Sequence, residues 1–216
     1  MGVADLPGQP AVFKPNKWLI SPKYASLVPF QDFHNKVISD FLNSWGRMYF
    51  QDVTAKEIYE AVIELNPIVR GIINDSLVKC NLNSGSTVCQ ATEKIYYRLT
   101  AIRGVNLVGF SKIAHILNDS LFPLIDNPIR KKYEKVYNVT KSPEGYTNWM
   151  REMQIQADEV TKDYQNKGYT GTPELFLSQN LGYTSEGSNK SLVKFLDEYY
   201  WLTVTHGISI PPKWTP

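Results

Sequence analysis

The chain has 216 residues, 43% of them hydrophobic, enough to bury a real core as one large domain or as two lobes sharing a cleft. Charged residues make up 20% and the net charge is only +2, which excludes a polycation that coats nucleic acid by bulk charge. Any nucleic-acid contact must come from Lys and Arg clustered locally. The two cysteines, Cys80 and Cys89, cannot hold a four-cysteine iron–sulfur or zinc site. They bracket a short polar loop and allow either a small disulfide or free thiols, the latter being the default without export signals.

The N-terminus lacks a charged start followed by an apolar run, so no signal peptide is expected. No apolar stretch approaches the roughly 20 residues that span a bilayer. An intracellular, cytoplasmic protein without membrane contact is therefore expected. On that reading the sequons at Asn74, Asn118, Asn138 and Asn189 are incidental.

Residues 1–30 carry Pro7, Pro10, Pro15, Pro22 and Pro29, which fix φ and remove backbone donors. Apolar residues recur among them, which predicts an irregular segment wrapped over a helical body. Asp32 to Trp45 has helical spacing and is closed by Gly46. Thr54 and Glu57 form a capping box ahead of Ile58, Ala61, Val62 and Leu65. Asn66-Pro67 is expected to break that helix and open another, running to about Lys79. Asn81 to Ser86 is a polar loop, and Val88 to Ala101 a further helix. After the central stretch, Pro128 to about Val139 reads as a basic helix, Ser142 to Gly145 as a turn, and Asn148 to Gln165 as a long amphipathic helix. Asn166 to Ser191 is rich in Gly, Thr, Ser and Asn, with one or two helical turns at Pro173 to Gln179. Ser191 to about His206 is the last helix, ended by Gly207 and followed by an irregular tail. No period-two pattern long enough for a sheet occurs. The expected fold is all-α, with eight to ten helices.

Ala101 to Lys132 packs the most signals into the fewest residues. Arg103-Gly104-Val105-Asn106 is a short connection between two helices. Gly104 permits a backbone that a Cβ hinders, and Asn106 is suited to positive φ. The helix that follows, Leu107 to Leu117, would offer free N–H groups to a phosphate, with Arg103 and Lys112 adding charge. The same residues also fit an ordinary helix–helix turn. Farther on, Asp126 or Asn127 stands before Pro128 at the start of a helix carrying Arg130, Lys131, Lys132 and Lys135. An acid in that place is an ordinary N-cap, a role compatible with chemistry. The basic run reads either as a solvated face or as a DNA contact.

These residues together resemble the helix-hairpin-helix DNA glycosylase superfamily. Ile102-Arg103-Gly104-Val105-Asn106 matches the hairpin, where the family has Leu-Pro-Gly-Val-Gly. Leu121-Phe122-Pro123-Leu124-Ile125-Asp126 is similar to its apolar run ending in the catalytic aspartate. The step from Gly104 to Asp126 is 22 residues, as in the adenine-glycosylase branch, and the match covers about one-seventh of the chain. Phe195-Leu196-Asp197 through Trp201 looks like the closing helix of uncharacterised bacterial relatives.

The resemblance implies a two-lobed helical domain at 31–216, with a hairpin core at about 54–139 and a second lobe from 31–53 and 140–216. It implies double-stranded DNA as partner and Asp126 as the carboxylate that stabilises a sugar cation during base removal. DNA contacts would fall on Arg103, Gly104, Val105, Asn106, Lys112, Arg130 and Lys131. The Schiff-base lysine of bifunctional members falls on Val108, so a monofunctional glycosylase is implied. The missing cluster cysteines imply no iron–sulfur cluster and no other cofactor. Arg103 and Asn106 depart from the hairpin pattern. A non-catalytic DNA-binding protein and a helical interaction domain remain the alternatives. His34, His115 and His206 show no metal-ligand spacing, and Trp45, Trp149 and Trp201 are either core or stacking residues.

Overall fold

The computed structural model describes residues 52–181 and 190–209. The expected N-terminal wrap, the helix at Asp32 to Trp45 and the tail beyond Ser209 lie outside the described residues. Seven α-helices occur among the described residues: α1 Asp52–Gly71, α2 Thr87–Thr100, α3 Leu107–Leu117, α4 Asn127–Tyr137, α5 Pro143–Asn166, α6 Pro173–Asn180 and α7 Leu192–Tyr200. A single wide π-helical turn, Trp201–Thr205, continues α7. No strand occurs among these residues, so the all-α expectation holds for them.

The helices start where the side chains allow it. Ser86, Asn106, Asp126, Ser142, Thr172 and Ser191 each accept a hydrogen bond from a first-turn backbone amide of α2 to α7. Such a cap contributes about 1 kcal/mol by satisfying an amide that the helix cannot. Helix α5 runs through the middle and packs on α2, α4, α6 and α7. Its Tyr146, Trp149, Met150 and Met153 are fully buried, against Phe110 of α3 and Phe122 of the loop that follows. Phe110 meets Tyr146 edge-on at 4.8 Å, a favourable arrangement of ring quadrupoles.

Three expectations are corrected. Pro67 does not break its helix but sits inside α1. Ile58, Ala61, Leu65 and Val69 form one buried stripe that runs past it. Burying Leu65 and Val69 contributes about 1.5–3 kcal/mol each, which offsets the roughly 3 kcal/mol cost of an interior proline. The helix then stops at Gly71 instead of reaching Lys79. The next stretch is turned and held from outside. Asn118 Nδ2 donates to the carbonyls of Ile72 and Asp75 at 3.0 Å, and Gln154 Nε2 donates to those of Leu77 at 2.6 Å and Cys80 at 3.0 Å. Ser142-Pro143-Glu144-Gly145 is no free turn but the cap and first turn of α5.

Candidate functional site

The hairpin joins α2 to α3. Gly104 adopts φ +91°, a conformation that side-chain-bearing residues rarely take. Asn106 has φ −104°, not the positive value that its residue type suggested. It serves instead as the N-cap of α3, its Oδ1 accepting from Val108 N at 3.0 Å and Gly109 N at 3.1 Å. The Val105 amide donates to Ile102 O at 3.0 Å. Two of the helix-start amides that the sequence offered to a phosphate, and the Val105 amide before them, are thus engaged within the protein. Arg103, Gly104 and Asn106 are exposed, whereas Val105 is buried in the core.

Asp126 stands at the start of α4 and is half-buried. Its Oδ1 accepts the Ile129 amide at 2.9 Å, the N-cap bond. Its Oδ2 accepts the Thr205 hydroxyl at 2.5 Å, from the π-helical turn 79 residues away in sequence. Lys112, on α3, faces the same neighbourhood. Burial pulls its ammonium pKa down, and the Asp126 charge acts in the opposite sense. Arg130 is turned inward, 8% exposed, and pairs with Glu134 at 2.8 Å. The outward charge of α4 rests on Lys131, Lys132 and Lys135.

The segment that delivers Asp126 is clamped almost residue by residue. His115 Nδ1 donates to Phe122 O at 2.8 Å, and Tyr146 OH donates to Pro123 O at 2.7 Å. Leu124 N donates to Asp197 Oδ1 at 2.9 Å, and Trp149 Nε1 donates to Leu124 O at 3.0 Å. Ser111 Oγ accepts from Ile125 N at 3.3 Å. An apolar loop has no ladder to satisfy its backbone, so α3, α5 and α7 each lend side chains to do so. The result is a rigid approach to the one carboxylate at its end.

Two ionisable groups lie beneath this segment. Burial and nearby Lys194 pull the His115 imidazole down to about 3, so the ring is neutral at ordinary pH. Its Nδ1 carries the proton, because a carbonyl only accepts. Burial pushes Asp197 well above the usual carboxylate range, although Lys194 and the Leu124 amide act the other way. The 3.8 Å separation of His115 and Asp197 is therefore no ion pair, since the histidine is uncharged.

Sequence reasoning missed Thr205 altogether and saw Asp197 only through resemblance. Asp197 had a legible signal: it shares the buried face of α7 with Val193 and Tyr200, where an acid needs a partner. Thr205 had none, since its contact depends on the π-helical turn. Trp149 is core, while Trp201 is 46% exposed and meets His206 at 4.1 Å. Cys80 and Cys89 are free thiols, and burial pushes the Cys80 thiol up to about 11. No group of residues able to hold a metal ion occurs among the described residues. No described helix is long and apolar enough to cross a membrane. No protein-family model matches the chain, and neither a curated protein nor a solved structure matches it.

Proposed function

We propose that the chain binds double-stranded DNA as a monofunctional glycosylase of the helix-hairpin-helix type. It hydrolyses the bond between sugar and base at a damaged or mispaired nucleotide. The observation that carries this reading is Asp126: a part-exposed carboxylate, held at both oxygens, at the head of a basic helix and within electrostatic reach of Lys112. As the bond breaks, its electrons leave with the base and positive charge grows on the sugar. A fixed carboxylate stabilises that charge without reorganising. Each of its oxygens has two acceptor positions, and one on each is used within the protein. Acceptor capacity remains for the attacking water, whose oxygen joins the sugar while its proton passes to the departing base. The target nucleotide must first leave the stack.

A second reading, a duplex-binding protein without catalysis, is favoured by one specific observation. Asn106 already caps the amides that would hold a phosphate, and Asp126 caps α4. Incubating the protein with duplexes containing uracil, hypoxanthine, alkylated or oxidised bases, followed by alkali, separates the two. Strand scission at one lesion supports the enzyme. Salt-sensitive binding with no scission on any lesion supports the second reading.

A further inference from the structure

Five helical threonines among the described residues spend their hydroxyls locally. Thr92, Thr100, Thr147, Thr161 and Thr203 each donate to the carbonyl four residues earlier in their own helix. Thr205 does not: its hydroxyl crosses to the Asp126 carboxylate on another helix. The backbone explains how. At Trp201 the helix widens, and His206 N donates to Trp201 O at 3.1 Å, five residues back. A wider turn delays the side chains by about one position relative to a continued α-helix, which re-aims whatever follows. Val204 packs toward the core and Thr205 faces the start of α4. The same C-terminal element also grips the approach to Asp126 through Asp197 and Leu124 N.

We propose that Thr205 is a positioning residue, which fixes the plane of the Asp126 carboxylate so that its remaining acceptor positions face the reacting sugar and water. The inference deepens the reading of Asp126 given above and rests on it. The N-cap bond at Oδ1 secures one oxygen only and leaves rotation about the carboxylate bond. The Thr205 bond removes that freedom. It is a charge-assisted hydrogen bond, which is about twice as strong as a neutral one.

Thr205→Val keeps the shape and removes the donor, Thr205→Ser restores the donor, and Thr203→Val controls for a methyl placed in the same turn. On the lesion that the protein cleaves, Thr205→Val is expected to lower the single-turnover rate of base release by about tenfold or more, with duplex affinity unchanged. Thr205→Ser is expected to recover most of that loss, and Thr203→Val to match the parent. Parent-like cleavage by Thr205→Val overturns the proposal, as does a loss that Thr205→Ser fails to restore. If the parent protein releases no base from any lesion, the glycosylase reading fails separately. The Asp126 carboxyl carbon resonance then decides the positioning claim. It should move in Thr205→Val and return in Thr205→Ser; no movement overturns the proposal.

Discussion

A methyl group on Gly145 would clash with the backbone N and O of Thr140 and lie 2.6 Å from its hydroxyl oxygen. The glycine is needed for space, not for an unusual φ, since α5 begins here with the Ser142 hydroxyl accepting its amide at 3.0 Å. Gly145→Ala gains at most about 1 kcal/mol of helix propensity. Overpacking against backbone costs about 1–3 kcal/mol or more, and backbone cannot swing aside as a side chain does. The clash therefore wins, and urea denaturation should show a destabilised variant; equal or greater stability contradicts this. Residues of this kind were only partly legible. A cap at Asp126 or Asn127 followed from Asp-Asn-Pro before a basic run, and the Ile129 amide on Asp126 Oδ1 chose the first. Its second bond, to Thr205, did not, because nothing in a linear pattern announces a π-helical turn. Asn106 showed the opposite failure. A residue suited to positive φ is equally suited to capping, and two amides within 3.1 Å decided for the cap.

At the scale of elements, apolar spacing located α2, α3 and α4 to within a residue or two, because each has a side-chain cap beside a helical stripe. It failed at Pro67 and at Pro143 for a shared reason. Proline signals a boundary, and only packing says which side of it the helix occupies. At Pro67 the buried stripe of α1 carries the helix through, whereas at Pro143 the ring takes the first helical position behind Ser142. For α4, the basic run divides. Arg130 is buried on Glu134, and Lys131 is exposed. On the DNA reading, Lys131→Glu should weaken duplex binding and reduce the salt slope by about one, whichever sequence is used. Unchanged affinity and slope in a fluorescence titration would show that α4 is merely a solvated face.

Across the whole molecule, the core is tied together by two buried groups with opposite pH responses. His115 titrates at about 3 in the folded state. In the unfolded chain it takes up its proton at about pH 6.5. The stability linked to its neutral form is therefore present above about pH 6.5 and is lost as the pH falls below it. Asp197 is the reverse: its folded value is raised. Its contribution is fully present below its unfolded value of about 3.9 and is lost as the pH rises through the folded one. Hence Asp197→Asn, which keeps an acceptor for Leu124 N, should gain on the parent protein as the pH rises from about 5 to about 8. His115→Gln should gain on the parent as the pH falls over that range. Urea midpoints that shift in parallel for all three proteins would show that neither group is linked to folding. That network matters because it holds rigid the segment ending in Asp126. The most direct test of the proposed function is single-turnover base release by Asp126→Asn, set beside its duplex affinity. Asparagine still caps α4, at a change of no more than a few tenths of a kcal/mol, so the fold and the DNA affinity should survive. Base release should be abolished while affinity stays close to the parent's; release at the parent rate would contradict the role proposed for Asp126.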